Sequence, residues 1–381
     1  MKHPYIQEEH VIFRKAFRKF LEKEAYPFYE KWEEDRIIPR TFWDKLGQSG
    51  YLCPDLPEEY GGLGVDWGIS VIINEELERV GSGTVGISLH NDIVVPYITA
   101  YGTHEQKKRW LPKCASGESI SAIAMTEPGA GSDLASIATT AEDRGDHYLV
   151  NGQKTFITNG IQADLIIIAC KTDVHATPKH KGISLLVIER GMPGFSRGRK
   201  LNKVGLHCQD TAELIFEDCI VPKENLLGQE GSGFLYMMDK LQQERLVVAI
   251  AAQVAAEDMF AMTMDYVKSR RAFGKAIGDF QNTKFKLAEM ATEIEMGRTF
   301  LDQLISSHMA GKDIVTKVSM AKWKLTDMAK RISAECMQLF GGYGYMEEYK
   351  IARRFRDTPV ASIYAGTNEI MKTIIAKNLG L

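Results

Sequence analysis

The sequence lacks any cysteine pair at disulfide or metal spacing. Cys53, Cys114, Cys170, Cys208, Cys219 and Cys336 stand far apart and form no CxxC. That excludes a zinc ribbon and a secreted disulfide scaffold, and points to reduced, mostly buried thiols in a cytoplasmic setting. Charge of one sign is lacking too. With 47 Lys+Arg against 50 Asp+Glu the net charge is −3, without the basic surplus of a nucleic-acid binder. No apolar run approaches the roughly 18 residues of a bilayer span; the longest lies around Leu246–Ala252, so no transmembrane segment is expected. The charged, amphipathic N-terminus carries no signal-peptide block. Nine histidines show no HExxH or other ligand spacing, so no metal is expected. No G-x-S-x-G elbow offers a serine nucleophile. Glycine and proline stay well short of a low-complexity or collagen-like composition.

What is present is a chain of 381 residues, enough for two or three domains with sizeable cores. Residues 1–120 read as helical: Ile6, Phe13, Phe17, Phe20 and Leu21 recur at helical spacing, and further patterns cover Ser70–Val80 and Val94–Ala100. Strand texture replaces this over 121–232. Tyr148–Val150, Asn151-Gly152 and Lys154–Ile157 read as a hairpin closed by a type I′ turn. Leu165–Cys170, Ile183–Ile188 and Ala212–Phe216 add short strands without intervening helices, so an antiparallel sheet domain is expected. From 233 to 381 the pattern is helical again, in three long segments, and Leu246–Ala252 is apolar on every side, as in a helix buried within a bundle or at a subunit interface. The fold class is therefore α+β: helical domain, β domain, helical bundle.

Six segments carry candidate chemistry. Gly81-Ser82-Gly83-Thr84-Val85-Gly86 matches G-x-G-x-x-G, yet the residues before it read as a helix, so a loop between helices is expected instead of a dinucleotide fold. Ile123–Asp133 contains Thr126, Gly129, Gly131 and Ser132, whose hydroxyls and open backbone suit a ring edge or a phosphate. Arg270-Arg271-Ala272-Phe273-Gly274-Lys275 is a basic segment that a solvated helix end would also explain. Gln338–Tyr345 ends a helix in glycines, either as a cap or as a close-approach loop. Tyr364–Glu369 is a small-residue turn with Thr367 as N-cap. Glu244 shares a helix face with Leu241 and Val248; an inward carboxylate is costly unless it is paired, Arg245 being the nearest cation in sequence, or functional.

Leaving the G-x-G-x-x-G match aside, the other five segments in this order resemble the acyl-CoA dehydrogenases, most closely the long-chain type, over essentially the whole chain. The resemblance implies a tetramer with a C-terminal four-helix bundle, FAD as cofactor, an acyl-CoA substrate and electron-transfer flavoprotein as acceptor. Ile123, Ala124, Met125, Thr126, Gly131 and Ser132 resemble the flavin-lining loop. Phe156, Ile157 and Thr158 resemble the strand against the ring, with Phe156 where Trp often stands. Arg270, Gln281, Gln338, Leu339, Phe340, Gly341 and Gly342 resemble contacts to the pyrophosphate and adenosine side that reach across from a neighbouring subunit. Thr367, Asn368 and Glu369 resemble the contact at the last helix. Ser132, Leu235, Gln242, Gln243, Arg245, Ala365 and Gly366 fall where the family touches acyl-CoA. Ala365 occupies the position of the catalytic glutamate of many members, whereas the long-chain and isovaleryl types carry the base at the position that is Glu244 here. The resemblance thus implies dehydrogenation of medium- or long-chain acyl-CoA in β-oxidation, with Glu244 as the base. Its rivals are branched-chain or terpenoid acyl-CoA dehydrogenation, an oxygen-using flavin oxidase or monooxygenase on the same fold, and a non-catalytic binding module. The setting it implies is the bacterial cytoplasm, or the mitochondrial matrix for a mature eukaryotic chain.

Overall fold

The computed structural model describes residues 3–381. Its N-terminal part packs helices α1 (Glu8–Glu24), α2 (Tyr29–Asp35), α3 (Arg40–Gln48), α4 (Trp67–Val80), α5 (Val85–Leu89), α6 (Val95–Tyr101) and α7 (His104–Ser116). Local chemistry fixes their starts. The Asp66 side chain caps α4 through Gly68 N–H, and Thr103 and Gln106 form a reciprocal capping box on α7. Between α5 and α6 the chain makes one π-helical turn, His90–Val94. The G-x-G-x-x-G match lies between helices, as expected: Gly81 ends α4 and a short 3₁₀ turn leads into α5.

The middle part holds β1 (Ser121–Ala124), β2 (Thr140–Asp143), β3 (His147–Thr158), β4 (Leu165–Lys171), β5 (Ile183–Glu189), β6 (Phe195–Lys200), β7 (Thr211–Pro222) and β8 (Leu226–Leu227). They form one sheet in the order β6-β7-β3-β2-β4-β5-β8, with β1 added on β4. It is antiparallel except that β1 and β2 run parallel to β4, a correction to the wholly antiparallel expectation. Asn151-Gly152 does not turn the chain. β3 runs straight through it, and its pairing with β7 slips at Val150/Gly152 in a bulge. Glycine is needed there for close approach, because a Cβ would stand 2.4 Å from Thr139 Oγ1.

The C-terminal part comprises α8 (Gly233–Ser269), a small hairpin β9 (Arg271–Ala272) and β10 (Lys275–Ala276), α9 (Gln281–Met309), α10 (Val315–Phe340), α11 (Lys350–Asp357) and α12 (Asn368–Asn378). The basic segment after α8 is thus a hairpin with Phe273-Gly274 at its tip, not a frayed helix end. By length and composition α8 could cross a bilayer, with a mean hydropathy of 1.5 over 18 residues, contrary to the sequence reading; 67% of that window is nevertheless buried within the protein. Most of its apolar surface is therefore core.

Buried ion pairs join the helical parts. Glu75, Glu76 and Glu78 on α4 are all buried. Glu75 meets Arg14 and Arg298 at 2.7 Å each, Glu76 meets Arg18 at 2.7 Å, and Glu78 pairs with Arg354. A buried carboxylate is tolerated only when paired, so α4 is held by α1, α9 and α11 together.

Candidate active site

Glu244 faces inward on α8 with only 6% of its surface exposed. Its partner is not Arg245. Tyr97 of α6 donates its hydroxyl to Glu244 Oε1 at 2.8 Å, and among the described residues no group donates to Oε2. Burial pushes the Glu244 carboxyl up to about 7, against the opposing pull of the Tyr97 hydrogen bond and the Arg245 charge. Arg245 is itself buried, with Nε unpaired. The neighbouring glutamines are fasteners. Gln243 Nε2 donates to Asp92 O at 2.7 Å in the π turn, and Gln242 accepts from Ile314 N–H at 2.8 Å. Both side chains are taken by the protein, so the substrate contact expected of them is left to other atoms.

The Ala365–Gly366 turn has both residues at positive φ, 51° and 84°. For Ala365 that is a strained geometry, and buried Lys322 of α10 holds it by donating to Gly366 O at 2.6 Å and to Asn368 Oδ1 at 3.2 Å. Asn368 also donates to Asp327 and Thr326, so its side chain anchors α12 and is not free for a ligand. Thr367 caps α12 by accepting from Ile370 N–H. Glu369 is exposed.

In the middle domain, fully buried Lys154 donates to Met125 O at 3.1 Å and to Glu127 Oε1 at 2.7 Å. Glu127 in turn accepts from Thr139 N–H at 3.0 Å. These charge-assisted contacts, with a further one from Ala138 N–H to Glu127 Oε2, fix the loop after β1. Gly129 and Gly131 have open space where a Cβ would stand. Ser132 is exposed, and Met125 and Thr126 are half-buried. Ile123 packs on the core shared with the N-terminal helices, and the Ala124 side chain is buried in the separate core of the sheet. Phe156 sits in the second bulge of β3 at φ 59°, 67% exposed. Ile157 points into the sheet core, so only its backbone can meet a ligand, while Thr158 is half-buried.

The third place is an open groove of ≈520 Å³ lined by Tyr266, Arg270, Ile277, Leu339, Phe340, Gly341, Gly342, Tyr343 and Met346. Gly341, at φ 63°, caps α10, and neither it nor Gly342 has an atom where a Cβ would stand. Cap and open backbone coincide there. The Arg270 guanidinium lies 5.6 Å from the Tyr343 ring and makes no ion pair among the described residues. Gln338 and Gln281 are exposed outside that lining, and Leu235 is exposed on the first turn of α8.

Family models cover the chain in three consecutive pieces: acyl-CoA dehydrogenase N-terminal domain over residues 7–118, middle domain over 122–219 and C-terminal domain over 231–380. The chain belongs to the acyl-CoA dehydrogenase family. Its structure is similar to that of an acyl-CoA dehydrogenase from Geobacillus kaustophilus, at 69% identity, TM-score 0.99 and full coverage of both chains. It is similar to the mitochondrial long-chain specific acyl-CoA dehydrogenase of Sus scrofa, 45% identical over 97% of this chain and 86% of that one. A chain solved in work on the electron transferring flavoprotein of Acidaminococcus fermentans is also similar, at 38% identity, TM-score 0.94 and 99% of both chains. Within this acyl-CoA dehydrogenase, Tyr97, Lys154, Glu127 and Lys322 escaped the sequence reading. Nothing local marks them, since each acts through a partner at least 27 residues away.

Proposed function

We propose that this acyl-CoA dehydrogenase oxidises medium- to long-chain acyl-CoA thioesters to trans-2-enoyl-CoA with FAD, in the cytoplasm, passing electrons to electron-transfer flavoprotein. The observation that carries the reading is Glu244: buried, unpaired with Arg245, with one oxygen held and the other open, on a chain that has alanine at 365. A group with raised proton affinity near neutrality is suited to general-base work.

The residues fit FAD. A groove with an unpaired Arg270 and two bare glycine backbones suits a pyrophosphate, and an exposed Phe156 beside Thr158 suits a ring. When bound, FAD supplies the acceptor for the β-hydride. Glu244 takes the α-proton on Oε2. The Ala365 backbone N–H, its turn fixed by Lys322, donates to the thioester oxygen as charge builds there. Because that donor is main chain, replacing glutamate by alanine at 365 does not remove it.

The C-terminal groove includes no residue of the β-domain loop, which supports a flavin site completed between subunits; the assembly proposed is the homotetramer of the family. Phe273 at the hairpin tip is 95% exposed, and Phe285, Met296 and Ile363 are exposed as well, consistent with surface that assembly covers. The similarity to the pig long-chain enzyme supports the chain length, and the Acidaminococcus structure supports the acceptor.

The test is anaerobic mixing of the yellow holoenzyme with acyl-CoAs of graded length, using Glu244→Gln alongside. Bleaching by the wild type and its loss by about 10²-fold or more in the variant are the expected results. Near-wild-type bleaching by Glu244→Gln would remove Glu244 as the base, and a monodisperse monomer with full flavin content would remove the tetramer.

A further inference from the structure

We propose that Tyr97 is a positioning residue for proton abstraction: its hydroxyl pins Glu244 Oε1, favours the carboxylate over the acid, and leaves Oε2 as the oxygen that takes the α-proton. This rests on the reading of Glu244 as the base.

The geometry begins in the π turn. One extra residue in a helical turn rotates everything after it by about 100°, and α6, which starts immediately afterwards, brings Tyr97 onto α8. The same turn is fastened to α8 by Gln243 Nε2 on Asp92 O. Adjacent residues of α8, Gln243 and Glu244, are thus both held by one short segment of the N-terminal domain. Tyr97 has no exposed surface, so bulk solvent does not reach its hydroxyl. Burial and the neighbouring Glu244 hold the phenol well above its ordinary value, so it donates throughout the working pH range. A hydrogen bond to a charged acceptor is about twice as strong as one to a neutral acceptor. The Tyr97 contact therefore opposes the burial that would keep Glu244 protonated.

The other titratable groups around the base are accounted for. On α8, Arg245 acts directly on Glu244, while Asp239 and Lys240 stand one turn back. On α6, Tyr101 donates to Asp239. Asp92 of the π turn is buried, and burial holds it up to about 7. On α9, His308 contacts Gln242 and Gln243, and burial holds it down to about 4; it is neutral wherever the base titrates. On α10, Lys322 is repelled by the charge of Arg245. Tyr97 is the group among them that touches the carboxylate.

Tyr97→Phe keeps the ring and deletes the donor. With octanoyl-CoA, the acid limb of the flavin-reduction rate in the variant holoenzyme should move up by about one pH unit. The rate on the alkaline plateau should fall less than tenfold, and KM should hold. An infrared titration of the substrate-free holoenzyme, with the Glu244 carboxyl band identified by its loss in Glu244→Gln, should show the same upward shift. A fluorinated tyrosine placed at position 97 is a stronger donor of the same shape and should move the limb down, which covers the case in which Tyr97→Phe does not fold. An unmoved limb and carboxyl band, with only a lower melting temperature, would overturn the role of Tyr97. If Glu244→Gln bleaches normally, the base assignment fails first, and the two failures are distinguishable.

Discussion

Lys154 of β3 and Glu127 of the loop after β1 form an ion pair at 2.7 Å with both side chains buried. The pair ties the centre of the sheet to the loop expected to line the flavin, and the Glu127 carboxylate bridges onward to Thr139 N–H. Removing one partner from such a pair leaves an uncompensated buried charge.

Lys154→Met should accordingly cost about 3–5 kcal/mol on urea denaturation and release flavin. The double variant Lys154→Met with Glu127→Gln should recover much of that stability, because the orphaned charge is gone. Equal loss in both would show that packing, and not charge, carries the effect.

Phe156→Ala separates ligand contact from folding. The ring is exposed, and alanine inherits the same positive φ, so apoprotein stability should stay within about 0.5 kcal/mol of wild type. Flavin retention on gel filtration should nonetheless decline. A variant that keeps FAD as firmly as the wild type would remove Phe156 from the cofactor site.

Lys322→Met deprives Gly366 O and Asn368 Oδ1 of their donor. Denaturation should show a loss of about 1–3 kcal/mol, and KM for acyl-CoA should rise while flavin content holds. An unchanged KM would mean that the Ala365–Gly366 turn keeps its shape unaided.

Glu244 also links function to stability through pH. Its ordinary value of 4.5 rises to about 7 in the folded protein. Between those values the unfolded chain has released the proton and the folded chain still holds it. Stability therefore falls as pH rises through that window, by a total on the order of 3 kcal/mol. Glu244→Gln should be the more stable protein above pH 7, and the advantage should vanish below pH 4.5. Parallel denaturation curves at both ends check this; an advantage independent of pH would refute it.

How much could be read without coordinates varies by level. Helix–sheet–helix texture was legible because apolar periodicity is local: α8, α9 and α10 and the short β-branched runs of β4 and β5 each carry their own pattern. The Asn151-Gly152 reading failed because a dipeptide that permits a turn also permits a bulge. The choice was made by β7 and by Thr139, which fills the space a Cβ at 152 would need. Asn368, Gln242 and Gln243 were expected at cofactor and substrate, but their side chains are spent on internal hydrogen bonds.

The sequence by itself determined the order of the elements, the cap at Thr367, and an inward carboxylate at 244 with alanine at 365. All of these depend on residues within a few positions of one another. Only the tertiary structure decided that Glu244 is bound to Tyr97 and not to its neighbour Arg245, that Lys154 closes on Glu127, and that Lys322 braces the Ala365–Gly366 turn. Side chains adjacent along a helix diverge by about 100°, whereas burial forces polar atoms to find partners wherever the fold brings them. Those partners lie 147, 27 and 44 residues away in the chain.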